Sequence, residues 1–353
     1  MHDLVSPPAN KSPCPVMGIS TQGKSDQLVT LDEVRAAAER IGGVALRTPL
    51  LALRSASLAG AERLRLKCEN LQRGGAFKLR GAYNFIALLS EEERSRGVVT
   101  YSSGNHGRAV ALAAREVGIP AVVVVPEDAP EVKVQGIRRL GAEVFFEGTT
   151  SVERRRLAEA IAGERGTVIV PPFDHPHIIA GQGTVGLEIA EEWPEVERVL
   201  VPVGGGGLLA GVAAAVRALA PRAEVYGVEP RGAAAMCASM EADHPVELDS
   251  VASVADGLKP IRPGDLTFAH TRSLVREVLV VEDEEILKAL AWCAEECRLM
   301  VEPSGAAGVA ALMSERLPEP WVPTVVVLSG GNVDPVSWGG WVKEYGQMAV
   351  ESA

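Results

Sequence analysis

Two hydrophobic patterns alternate along the chain from Thr30 onward: short continuous apolar runs, and longer stretches in which apolar positions recur at helical spacing. The first stretch is helical. LDEVRAAAERI follows Thr30 as N-cap, with Glu33 three positions on, which is the arrangement of a capping box. Then LRLKCE precedes FKLRGAYNFIALL, VVTYSS precedes HGRAVALAAREVG, AVVVVPE precedes VKVQGIRRLGA, and EVFFEG precedes SVERRRLAEAIA. The pattern continues with TVIVPPF, a helix through GTVGLEIAEEW, VERVLVPV, GLLAGVAAAVRAL and EVYGVEP. After a less regular stretch, EEILKALAWCAEECRL and TVVVLSGGN close it. Strands alternating with helices predict an α/β fold, with parallel strands joined by crossover helices. VLVPV and TVVVL are apolar throughout, as expected of a sheet covered by helices on both faces.

At 353 residues the chain exceeds the usual single domain, so a large domain with a smaller one attached is expected. A composition of 47% hydrophobic and 23% charged residues is that of a soluble globular enzyme. The net charge of −11, with both signs interspersed, gives no footprint for nucleic acid or an anionic membrane. A small-molecule ligand is expected instead. No apolar run has the length of a membrane span, and the opening MHDLVSPPANKSPCPVMGIS lacks a basic region followed by an apolar one. The protein is therefore expected to be neither secreted nor embedded, with residues 1–26 as a flexible leader. The cysteines Cys14, Cys68, Cys237, Cys293 and Cys297 are odd in number and scattered, which fits a reducing cytoplasm better than a disulfide framework. Cys293 and Cys297, one helical turn apart, could form half a metal site, but no matching pair accompanies them. They read as buried thiols, and no metal is expected.

In open α/β sheets ligands sit beyond the carboxyl ends of strands, so strand exits rich in glycine are where chemistry is sought. Lys78 follows Gly74, Gly75, Ala76 and Phe77 just ahead of an apolar helix. A lysine at a helix start is usually a solvated one. Here the small residues allow close backbone approach and Phe77 supplies an apolar neighbour that depresses an amine pKa, as a Schiff-base lysine requires. The run from Ser102 and Ser103 through Gly104, Asn105 and His106 enters a helix whose first-turn amides suit a carboxylate or phosphate, or else are simply capped. Gly204, Gly205, Gly206 and Gly207 lie between a strand and a helix, as in a nest of amides around phosphate. Glu229 stands about where a dinucleotide-binding fold places its ribose acid, but GGGGLLAG does not fit G-x-G-x-x-G, so the phosphate cradle ranks first. Ser329 ends the last apolar strand, either as part of a glycine turn or as a hydroxyl able to bond a heteroaromatic nitrogen.

In this order the four constellations resemble the tryptophan-synthase-like, fold type II family of pyridoxal-phosphate enzymes, over Thr30 to Asp334. AFKLRGA, SSGNHG, AGQGT, VPVGGGGLLAG, EPSGA and LSGGNVD are most similar to the threonine/serine dehydratase and serine racemase branch. His106, where cysteine synthases usually have threonine, disfavours β-replacement. The resemblance implies a large doubly wound domain over 27–96 and 175–345, with a smaller inserted α/β domain over 97–174. It implies pyridoxal 5'-phosphate bound as a Schiff base on Lys78, with Phe77 beside the ring, Asn105 on the ring hydroxyl, Ser329 facing the pyridine nitrogen, and Gly204 to Gly207 with the Leu208 amide on the phosphate. Ser103, Gly104, Asn105 and His106 would take the substrate carboxylate.

By the same resemblance, Lys78 removes the Cα proton, the β-hydroxyl leaves, and hydrolysis yields a 2-oxo acid and ammonia. The racemase-like cation site would combine Glu229, the Ala233 carbonyl and an acid at 235, where this chain has Ala235. Ser103 points to a racemase, in which it is a second acid/base, whereas PPFDHP at 171–176 looks like the dehydratase version of its loop. A catabolic ammonia-lyase acting on L-threonine or L-serine is expected, in a cytoplasmic homodimer. The alternatives are a serine racemase, a lyase for 3-hydroxyaspartate, phenylserine or a hydroxyectoine-derived amino acid, and a non-catalytic binding module.

Overall fold

The computed structural model describes residues 14–15, 28–53, 60–102, 104–314, 316–317 and 322–346. The apolar runs assemble into two sheets. In the larger, the strand order is Cys14–Pro15, Glu277–Val281, Glu224–Pro230, Arg198–Pro202, Thr324–Leu328, Leu64–Cys68 and Leu50–Ala52. The five inner strands run parallel, and only the two short edge strands are antiparallel to their neighbours. Cys14–Pro15 lies inside the stretch expected to be a flexible leader, and there it pairs with Glu277 and Val278. The smaller sheet, entirely parallel, has the order Glu143–Phe146, Ala121–Val125, Val98–Thr100 and Val168–Ile169. Its strands fall within residues 98–169.

Period-two alternation sends side chains of each strand to opposite faces, and both faces of the large sheet are covered. Leu66, Leu200, Val228, Val326 and Leu328 join one core, beneath Asp283–Cys297 and Pro303–Met313. Val199, Val201, Val225, Val325 and Val327 join the other, beneath Gly207–Leu219. In the small sheet Val123 and Val125 face one core while Val122 and Val124 face another. The helix Leu31–Ile41 begins with the reciprocal capping box between Thr30 and Glu33. The irregular stretch before residue 283 contains the helix Asp265–Leu274 and the strand Glu277–Val281. No helix among the described residues is long and apolar enough to cross a membrane.

Three adjacent strands of the large sheet carry functional candidates at their carboxyl ends. Leu64–Cys68 leads to the Lys78 loop, Thr324–Leu328 to Ser329, and Arg198–Pro202 to the glycine loop. In the small sheet, the inner strand Val98–Thr100 leads to Asn105.

Candidate active site

Lys78 is the first residue of the helix Lys78–Ala87, and a short ladder ties its approach to the neighbouring strand exit. Ala76 bridges to Gly330, the Phe77 amide donates to the Ser329 carbonyl at 3.1 Å, and the Gly331 amide donates to the Gly75 carbonyl at 2.9 Å. Gly75 has φ +78°, and a Cβ there would fall 2.3 Å from Asn332 Oδ1. Only glycine allows this approach. The Lys78 amine donates to the Pro172 carbonyl at 2.8 Å and lies 5.1 Å from the centre of the Phe77 ring. Burial without a carboxylate partner pushes its pKa down to about 8. Lys67, fully buried, is instead a paired structural lysine: it donates to Glu188 at 2.5 Å and to the Thr48 carbonyl at 2.7 Å.

Asn105 opens the helix Asn105–Val117, which has no side-chain cap at its N-terminus. Its first-turn amides are therefore left to a ligand or solvent. The Asn105 side chain donates to Glu302 Oε1 at 2.6 Å and accepts from Asn332 Nδ2 at 2.8 Å, which leaves it one N–H and one lone pair. Burial pushes the Glu302 carboxyl up to about 7. His106 is buried with Nε2 3.0 Å from the Val170 carbonyl, which can only accept. Burial, and then the charge of Lys78, push its pKa down to about 3, so the ring is a neutral donor that fixes the helix start. Ser103 lies outside the described residues.

The glycine loop enters Gly207–Leu219, again with no side-chain cap. Gly206 has φ +93°, a conformation other residues rarely adopt. A Cβ on Gly205 would fall 2.2 Å from the Phe173 ring, and one on Gly207 would meet Phe173 Cβ at 3.0 Å. A glycine turn with one left-handed residue, Gly206, leading into an uncapped helix start with Leu208 buried in its first turn, fits a phosphate. Ser329 is buried at its strand tip. The site's amine, its apolar ring neighbour and its two uncapped helix starts are thus the donor set that pyridoxal phosphate and an amino-acid carboxylate require.

Glu302, Asn332 and the loop 170–173 belong to this site as well. EPSGA and LSGGNVD marked two of these places, but no residue-type signal separated Glu302 or Asn332 from their neighbours. Glu229 is turned elsewhere: its carboxylate accepts from the Met236 and Cys237 amides, both at 2.9 Å, and burial pushes its pKa up to about 8. It caps the helix Ala235–Ala242. No group of three or more His, Cys, Asp or Glu among the described residues is placed to hold a metal ion.

The family model described as pyridoxal-phosphate dependent enzyme matches residues 42–330. L-threonine ammonia-lyase of Thermotoga maritima is 43% identical over 87% of this chain and 76% of its own length. Serine racemase of Oryza sativa subsp. indica is 41% identical over 86% of this chain and 91% of its own. The solved structure of maize serine racemase superposes with a TM-score of 0.85, at 38% identity, covering 92% of this chain and 99% of that one. Family model, relatives and fold agree: the chain belongs to the pyridoxal-phosphate dependent enzymes of fold type II, in the branch of ammonia-lyases and racemases.

Proposed function

We propose that the protein is an ammonia-lyase that converts L-threonine or L-serine to the corresponding 2-oxo acid and ammonia. The observation that carries this reading is the Lys78 amine: half-buried, free of a carboxylate partner among the described residues, and bonded at 2.8 Å to the Pro172 carbonyl in the loop whose Val170 carbonyl meets His106. Pyridoxal phosphate, when bound, supplies an electron sink next to the substrate Cα. The protein's part is placement. Uncapped amides from Gly104 to His106 hold the carboxylate, the glycine loop with the Leu208 amide holds the phosphate, and Lys78 Nζ takes the Cα proton. Loss of the β-hydroxyl as water and hydrolysis of the released enamine cancel in the water balance, leaving a 2-oxo acid and ammonia.

Elimination is put before racemisation on the likeness of PPFDHP at 171–176 to the dehydratase version of that loop. Ammonia release from L-threonine, L-serine and D-serine, with chiral chromatography of the residual serine, tests the reading. Ammonia from the L-substrates exceeding D/L interconversion supports it, and dominant interconversion overturns it. Ser103→Ala should keep most L-substrate turnover while losing reaction with D-serine. Borohydride reduction followed by peptide mapping should label Lys78, and Lys78→Ala should lose several orders of magnitude in rate.

A further inference from the structure

We propose that Phe173 is the residue that selects the substrate's β-substituent, favouring a hydrogen or methyl over a carboxylate. The inference rests on the amino-acid lyase reading above and names the specificity element of that same site.

The loop 170–176 touches each part of the site in turn. Val170 supplies the carbonyl that fixes His106, and Pro172 supplies the carbonyl at 2.8 Å from the Lys78 amine. The next residue, Phe173, lays its ring where a Gly205 Cβ would stand, while its backbone closes on Gly207. Phe173 therefore runs from the amine end of the cofactor slot to its phosphate end. A substrate amine must replace that of Lys78, and its carboxylate goes to the helix start at Asn105. The β-carbon is then left beside the loop segment that contacts the lysine.

The loop that carries the ring is held in place by the residues that follow it. Asp174 accepts from the Asp265, Leu266 and Thr267 amides at 3.0, 3.0 and 3.2 Å. His175 Nδ1 accepts from the His177 amide at 3.1 Å at the start of Pro176–Glu192. The Thr267 hydroxyl in turn donates to the Gly205 carbonyl at 2.6 Å, so the support of Phe173 and the surface it covers are one connected piece. Val170, Pro171, Pro172 and Phe173, the part of the loop next to the lysine, offer no charged side chain to a second substrate carboxylate. An apolar wall fixed in this way rewards a methyl by about tenfold and leaves a carboxylate desolvated without a partner.

Three analogues that cannot undergo elimination isolate the β-substituent: L-alanine, L-2-aminobutyrate and L-aspartate carry hydrogen, methyl and carboxylate, and none has a β-leaving group. Their binding to wild type, Phe173→Leu and Phe173→Asn holoenzyme is read from the change in the near-visible band of the bound cofactor. Melting of the cofactor-free proteins gives a second readout. In wild type L-2-aminobutyrate should bind at least as tightly as L-alanine, and L-aspartate far more weakly. Phe173→Leu should keep that order, whereas Phe173→Asn should lose about tenfold of the preference for methyl and gain affinity for L-aspartate. Ratios within twofold of wild type in both variants overturn the proposal. Loss of the cofactor band in both, with melting of the cofactor-free protein lowered, overturns it as well, because Phe173 would then be support for the glycine loop alone. Wild type that binds the analogues but releases ammonia from no hydroxy amino acid overturns the lyase reading and leaves the ratios to judge Phe173.

Discussion

A lysine amine held near pKa 8 is a nucleophile at the pH of a cell. Burial lowers Lys78 by disfavouring its charged form, and no carboxylate offsets the penalty, so raising the pH converts the amine to its reactive state. Cofactor-free protein mixed with pyridoxal phosphate should therefore load faster as pH rises, by about tenfold per unit below the pKa, and level off above about 8. Stopped-flow absorbance between pH 6.5 and 10 checks this, and a rate that climbs unbroken to pH 10 would return Lys78 to an ordinary lysine. Gly206 gives a second expectation. At φ +93° with Met236 and Thr267 within 3 Å of a Cβ, Gly206→Val should weaken cofactor affinity at least tenfold, and excess cofactor should partly restore activity. Equilibrium dialysis measures it, and an unchanged affinity would make the glycines a plain structural turn.

At the scale of elements, the helix Asp265–Leu274 has Gly264 at its N-cap and no side-chain cap of its own, so it takes one from Asp174, 91 residues earlier in the chain. Asp174→Ala should cost about 1–2 kcal/mol, because three amides lose a charged acceptor, and Asp174→Asn should recover much of it. Since Thr267 in this helix holds the Gly205 carbonyl, cofactor affinity should fall together with stability. Thermal melts beside cofactor titrations check it, and a loss of stability with affinity intact would uncouple helix from loop. This cap was invisible in the sequence because it is non-local, and so was its helix. Leu31–Ile41, by contrast, announced itself through a local capping box, and the valine-rich inner strands through unbroken apolar runs. Pro303–Met313 was not legible as a helix: PSGAAGVAALM is buried over nearly all its length and shows no amphipathic period. Lys78, Asn105 and the glycine loop were legible because each sits at a strand exit in a distinctive run. Glu302, Asn332 and Phe173 lie in EPSGA, LSGGNVD and PPFDHP, which the resemblance marked, but they reach the site through tertiary contacts from distant segments and their residue types did not set them apart from their neighbours.

Across the whole molecule, four buried charges join the sheet to the helix that carries the lysine. Arg80, fully buried two residues after Lys78, pairs with Glu69 at 2.8 Å and with Glu188 at 2.6 Å, while Lys67 pairs with Glu188 at 2.5 Å. Glu69 follows the strand Leu64–Cys68, Arg80 lies in Lys78–Ala87 and Glu188 in Pro176–Glu192, so the network ties three elements together behind the site. Burial alone would raise the Glu69 carboxyl, but the Arg80 charge and hydrogen bonds from Arg80 and Thr48 hold it below the usual carboxylate range. A depressed folded pKa contributes stability that is present above the unfolded value and lost as pH falls through the folded one. Arg80→Met removes the compensation and leaves two carboxylates against one lysine, at a cost of about 3–5 kcal/mol near neutral pH. In that variant the Glu69 carboxyl rises above its unfolded value, and acidification then favours the folded state by protonating it. The stability gap between wild type and Arg80→Met should therefore be widest at pH 7 and narrow toward pH 5. Urea unfolding at the two pH values measures the gap, and a gap that is constant or grows on acidification would show that Arg80 acts through packing of its apolar stem rather than through the buried charges.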